Sequence, residues 1–214
     1  MNLGRITCIA AWALLLAGSA QAGPEEDYQA GLKSYREGDI VGAMTPLRAA
    51  ALAEHAKAQA LLAEILDRTD FDADALVLYR KSAAQGDPDG MFGLGAMLVS
   101  GEGTPKDIAT GRSWLLKAAE AGQQQAVNVI AQGYLKSELG YTEAERDTPE
   151  ALAWVKRAAD NGYLPAIDAL AAAYAAGNAL SVAANPALAE EYRNQANRIR
   201  QVDPGKTKKK QRRM

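Results

Sequence analysis

The chain has 214 residues, 48% of them hydrophobic but only 6% aromatic, with 19 glycines and a formal net charge of −2. That length allows one domain or two small ones, and a core of alanine and leucine with few β-branched runs favours close-packed helices over sheets. One cysteine, Cys8, and one histidine, His55, exclude a disulfide framework and any site built from clustered cysteine or histidine.

Residues 1–22 have the pattern of a secretory signal peptide. Arg5 supplies a positive start, Ile6 to Ala17 forms a mostly apolar run, and Ala20-Gln21-Ala22 is a small-x-small cleavage signature. The apolar run is short for a membrane span, so an uncleaved anchor is the weaker alternative. Cys8 lies inside this run and not at the cleavage point, which argues against lipidation. Cleavage would leave a mature chain without a thiol, stabilised by packing alone. An alanine-rich, cysteine-free exported chain is expected in a bacterial periplasm.

From residue 23 onward the main signal is self-similarity. Lys81-Ser82-Ala83-Ala84-Gln85-Gly86 returns as Lys117-Ala118-Ala119-Glu120-Ala121-Gly122 and as Arg157-Ala158-Ala159-Asp160-Asn161-Gly162. A degenerate first copy places Glu54 where the others have glycine. Other positions keep phase with these anchors. Eleven residues before the turn stand Ala43, Ala75, Gly111 and Ala151, and four after it stand Ala58, Gly90, Ala126 and Ala166. Eight after it stand Leu62, Leu94, Ile130 and Leu170, each followed by Ala63, Gly95, Ala131 or Ala171. Large residues close the first helix: Leu66, Leu98, Tyr134 and Tyr174. These offsets place side chains on one face of an α-helix, and a small residue beside a large one leaves a groove for a neighbouring helix. Glycine suits the left-handed cap that ends the preceding helix. Each unit thus reads as helix A, loop, helix B and turn, and only stacked units bury their apolar faces.

Gly101-Glu102-Gly103-Thr104-Pro105-Lys106-Asp107, followed by Gly111, Trp114, Lys117-Ala118-Ala119 and Gly122, resembles the Sel-1-like repeat, a relative of the tetratricopeptide repeat. Asp107 and Pro105 suit the start of helix B as cap and as fixed backbone angle. The match is specific over 90–122, good over 126–162 despite an enlarged loop at Ser137 to Thr148, and weaker over 58–86. Tyr28, Gly31, Tyr35, Gly38-Asp39, Ala43 and Leu47 read as a tetratricopeptide-type first pair. A last pair opens at Ala166 and ends with a helix from Pro186 to about Arg200. The resemblance implies an all-α, right-handed α-α solenoid of about five antiparallel helix pairs over 23–203.

Catalytic patterns are scarce. His55 falls in a repeat turn and has no second histidine or cysteine to form a site. Asp67, Asp70, Asp72 and Asp74 have part of the spacing of a calcium loop, but the required glycine and twelfth-position glutamate are missing, so they read as a solvated loop. Gly93-x-Gly95 and Gly101-x-Gly103 follow no strand and precede no Gly-Lys-Ser/Thr, so they are not phosphate loops. Trp114 and Trp154 sit in phase on helix B, where packing explains them better than sugar stacking. No catalytic residue, metal site or cofactor is expected.

Binding is the remaining function class. Helix A offsets of two, six and nine predict a concave face with Glu64 and Asp67, then Phe92, then Asn128, Gln132 and Leu135, then Asp168, and with Arg68 and Lys136 at its rim. Separately, residues 204–214 carry Lys206, Lys208, Lys209, Lys210, Arg212 and Arg213 and no acid, and their composition predicts a disordered tail. Residues 23–203 hold 17 Lys and Arg against 26 Asp and Glu, a balance of −9. The leading expectation is a non-enzymatic periplasmic scaffold that holds an envelope protein in its groove. A second is a factor for peptidoglycan, anionic glycan or anionic lipid acting through the tail, with no role in nucleic acid binding. A third is a hydrolase like some cysteine-rich exported relatives of the family, but their repeated cysteine pairs are absent.

Overall fold

The computed structural model describes residues 23–202. The expected signal peptide over 1–22 and the expected disordered basic tail over 204–214 lie outside the described residues. Eleven helices follow one another without a strand among these residues. The first pair is α1 (Pro24–Arg36) with α2 (Ile40–Leu52) and the second is α3 (Ala56–Asp67) with α4 (Asp72–Ala84). Then come α5 (Pro88–Ser100) with α6 (Ile108–Glu120), and α7 (Gln124–Lys136) with α9 (Pro149–Asp160). The last pair is α10 (Leu164–Ala176) with α11 (Pro186–Val202). A single-turn helix, α8 (Glu143–Arg146), sits in the enlarged loop of the fourth pair.

The repeat positions form the core. Ala58, Ala126, Ala166, Ile130 and Leu170 are fully buried, and Gly90, Gly95 and Gly111 are buried with them. Trp114 and Trp154 are half-buried against the core, each covered by a cation one turn on, Lys117 at 4.3 Å and Arg157 at 5.3 Å from the ring centres. Both are thereby accounted for by packing.

Every turn between pairs is built alike up to α7. Gly86, Gly122 and Glu54 have φ of 85°, 92° and 58°. The amide after each reaches back to Ser82, Ala118 and Ala50, which is the Schellman closure. Gly162 repeats it before α10. Asp107 caps α6 by accepting from the Thr110 amide at 3.0 Å. Pro105 lies two residues ahead of that cap, in the loop, and does not open the helix.

The A helices of neighbouring pairs touch one another at three of the four junctions, α1 with α3, α3 with α5 and α7 with α10 but not α5 with α7, while B helices of successive pairs make no comparable contact. The array therefore curves with its A helices inside, as a solenoid of helix pairs does.

Candidate functional site

The inner face opens into a groove of about 830 Å³ that runs across the first three pairs to the start of α7. Helix α1 contributes Tyr28, Leu32 and Arg36, and α3 contributes Lys57, Leu61, Glu64, Asp67 and Arg68. Asp89 and Phe92 of α5, Tyr79 of α4 and the turn Gly122–Gln125 complete it. Of the residues expected on this face, Glu64, Asp67, Arg68 and Phe92 come together here.

The others do not join them. Gln132 accepts from the Tyr163 hydroxyl at 2.8 Å and donates to Glu138 at 3.1 Å. Asp168 is held by both of its oxygens against Arg200 of α11, at 2.7 Å each. Leu135 is half-buried against the core, Lys136 is exposed, and Asn128 keeps a buried Oδ1 without a hydrogen-bond partner. Tyr163, which opens the next pair, and Arg200, from the second helix of Asp168's own pair, occupy this half of the inner face.

Helical phase alone missed three groups of liners. Helix α1, whose residues are not among those expected on the concave face, forms one wall. The turn Gly122–Gln125 closes the end, where Gln123 caps α7 by accepting from the Ala126 amide and also donates to Asp89 at 3.3 Å. Tyr79 lies on a B helix, seven residues before its turn glycine. Leu47, Leu115 and Val155 hold that position in the other copies, so a tyrosine among core aliphatics was the signal that could have revealed it. The ring fits because residue 93 is glycine: a Cβ there would stand 2.1 Å from the Tyr79 Cε1.

Charge in the groove is unevenly balanced. Glu64 accepts from the Tyr35 hydroxyl at 2.9 Å and from Arg68 at 3.3 Å, and Arg68 also reaches Tyr35 at 3.0 Å. The carboxylate of the half-buried Asp67 receives no hydrogen bond and no ion pair among the described residues. Loss of water raises its pKa, and Glu102, Asp72 and Glu64 add to the rise. Asp89 is likewise raised by loss of water, opposed by its Gln123 hydrogen bond. Burial pushes the Tyr79 hydroxyl far above the usual phenol value, with Asp67, Glu64 and Asp89 contributing. It is neutral at any physiological pH.

His55 belongs to the architecture. Its Nδ1 accepts from the Ala58 amide at 3.2 Å as the cap of α3, Nε2 meets Glu25 at 2.9 Å, and the ring stacks on Tyr28 at 4.8 Å. Of the acidic run, Asp70 takes a left-handed turn and Asp72 and Asp74 begin α4. No group of three or more His, Cys, Asp or Glu side chains is placed to hold a metal among the described residues. No helix among them is long and apolar enough to cross a membrane.

The family model of the Sel1 repeat matches residues 56–87, 88–123 and 133–163. No curated protein matches the chain significantly. Among solved structures, the chain is similar to a protective antigen of uropathogenic Escherichia coli displaying an SLR fold, at 23% identity and a TM-score of 0.69. That alignment covers 82% of this chain but 38% of the antigen, so the chain spans well under half of that protein's length. It is also similar to a Sel1 repeat protein from Oxalobacter formigenes, at 27% identity and a TM-score of 0.64, covering 81% of this chain and 70% of that one.

Proposed function

The chain is a Sel1-like repeat protein, and from that premise we propose that it is a periplasmic scaffold holding one protein of a cell-envelope complex in the groove between α1, α3 and α5. Sel1 repeats generally serve protein–protein interaction and are generally non-catalytic. The observation that carries the reading is the groove itself. It is long and open, with aromatic residues Tyr28 and Phe92 beside charged ones, and suits an extended segment better than an enclosed small molecule.

The test is affinity purification from envelope extracts followed by mass spectrometry, run in parallel on Phe92→Ala and Gln132→Ala. A true groove partner is lost or depleted with Phe92→Ala and retained with Gln132→Ala, while both variants melt near the parent temperature. A partner set unchanged by Phe92→Ala sinks the groove reading. Export rests on the pattern over 1–22 and predicts a mature N-terminus at Gly23, which sequencing of the periplasmic protein checks.

A second reading is favoured by the charge asymmetry between an acidic body at −9 and a tail with six basic residues in eleven. In it, residues 204–214 hold peptidoglycan or another anionic envelope glycan or lipid. Deleting that segment should then abolish sedimentation with purified sacculi and leave groove capture intact.

A further inference from the structure

We propose that the floor of the groove is a seat for a lysine or arginine side chain on the partner's bound segment, with Asp67 as the counter-charge and the Tyr79 hydroxyl as the hydrogen-bond acceptor. This rests on the groove being the partner site.

Two independent observations point to such a ligand. Tyr79 is only 5% exposed, yet its hydroxyl makes no hydrogen bond among the described residues and opens into the groove. That hydroxyl is not among the enclosed polar atoms, so it is open to the groove, and a ligand donor entering there meets a phenol oxygen that no other side chain occupies. Asp67 is the second. Its carboxylate is half-buried and unpaired, and the charged groups acting on it are acidic. The adjacent Glu64 has Arg68 and Tyr35, whereas Asp67 has no cation of its own.

The chemistry of the seat selects among ligands. An anion would meet a carboxylate where it needs a donor. A metal ion would need more ligating side chains than the described residues bring together. An ammonium or guanidinium group can pair with the carboxylate and donate to the phenol oxygen while its remaining N–H groups stay in the open groove, with Phe92 and Tyr28 beside its stem.

The fit between Tyr79 and Gly93 is peculiar to this copy. The positions matching Gly93 are Leu61, Val129 and Ala169. A tyrosine and a glycine thus replace a core aliphatic and a half-buried one at this crossing, placing a polar atom where the other pairs have hydrocarbon.

The test uses the full chain on arrays of immobilised ten-residue peptides whose central position is Lys, Arg, Leu, Gln or Glu on several backbones. The expected result is about tenfold stronger retention of the Lys and Arg members, in line with a hydrogen-bonded charge. Asp67→Asn should erase that preference, Tyr79→Phe should weaken it, and Asp67→Lys should transfer it to the Glu members. Binding of the Leu members should survive all three changes, which shows that the variants are folded. A Lys and Arg preference that is absent, or that survives Asp67→Asn, overturns the seat. Retention that depends on Phe92 but ignores the central residue overturns the seat and leaves the groove reading standing. No retention of any peptide overturns both. Retention only of a peptide copying residues 204–214 would assign the groove to a second copy of this chain, and overturns the partner.

Discussion

Glu54 holds, at φ 58°, the left-handed turn position that glycine holds in the later copies. A side chain there costs about 1–2 kcal/mol of backbone strain. Here the side chain also does something. It pairs with Lys81 at 2.9 Å and accepts from the fully buried Gln59 at 2.9 Å, and the Lys81 hydrogen bond, then that of Gln59, holds its pKa below the ordinary glutamate value. Gly122 offers no such compensation, although a Cβ there would meet nothing within 4 Å. Gly122→Ala should therefore destabilise by about 1–2 kcal/mol through conformation alone. Glu54→Gly should change stability by less than about 1 kcal/mol, because relieved strain offsets the lost contacts. Urea melts of both variants check the contrast, and equal losses would mean that the Glu54 contacts do not offset its backbone angle.

Between elements, α5 lies close on α6 at two glycines. A Cβ on Gly95 would stand 2.9 Å from the Gly111 carbonyl oxygen, and one on Gly111 would stand 2.8 Å from that of Gly95. Alanine at Gly95 would gain about 1 kcal/mol in helix propensity. Backbone on the opposing helix cannot swing aside, so the overpacking penalty falls near the top of the usual range of about 1–3 kcal/mol. Gly95→Ala should lose about 1–2 kcal/mol net in chemical denaturation, and an unchanged or raised midpoint would show that the helices can part without cost. This packing was legible in the sequence, since small residues recur at that offset in every copy. The enlarged loop was less so. Tyr141 looks like a loop residue, yet it is buried, stacks on Tyr134 at 3.9 Å and lies under Arg112 at 4.8 Å. An insertion outside the repeat has no period to betray which of its side chains turns inward.

Over the whole molecule, the repeat period revealed nearly all of the fold and about half of the inner face. Period places a residue on a face of its own helix, and that sufficed for Glu64, Asp67, Arg68 and Phe92. It cannot say which residues of other helices reach the same space, so Arg200 on Asp168, Tyr163 on Gln132, and the α1 wall all escaped it. The same one-dimensional build governs stability. Buried residues form three clusters in chain order, joined through shared neighbours such as Leu66, Leu78 and Met91. Leu47 lies in the first cluster and Leu170 in the last, both fully buried, and the first and last pairs make no substantial contact with each other. Leucine to alanine at either site should cost about 2–5 kcal/mol, and sites this far apart should add. In a stack held by nearest neighbours the loss should also stay local. Leu170→Ala should speed amide hydrogen exchange in α9, α10 and α11 and leave α2 and α3 near parent rates. Leu47→Ala should do the reverse. If either change speeds exchange equally at both ends, the five pairs open only as one unit, and the groove across the first three pairs is then coupled to the integrity of the last.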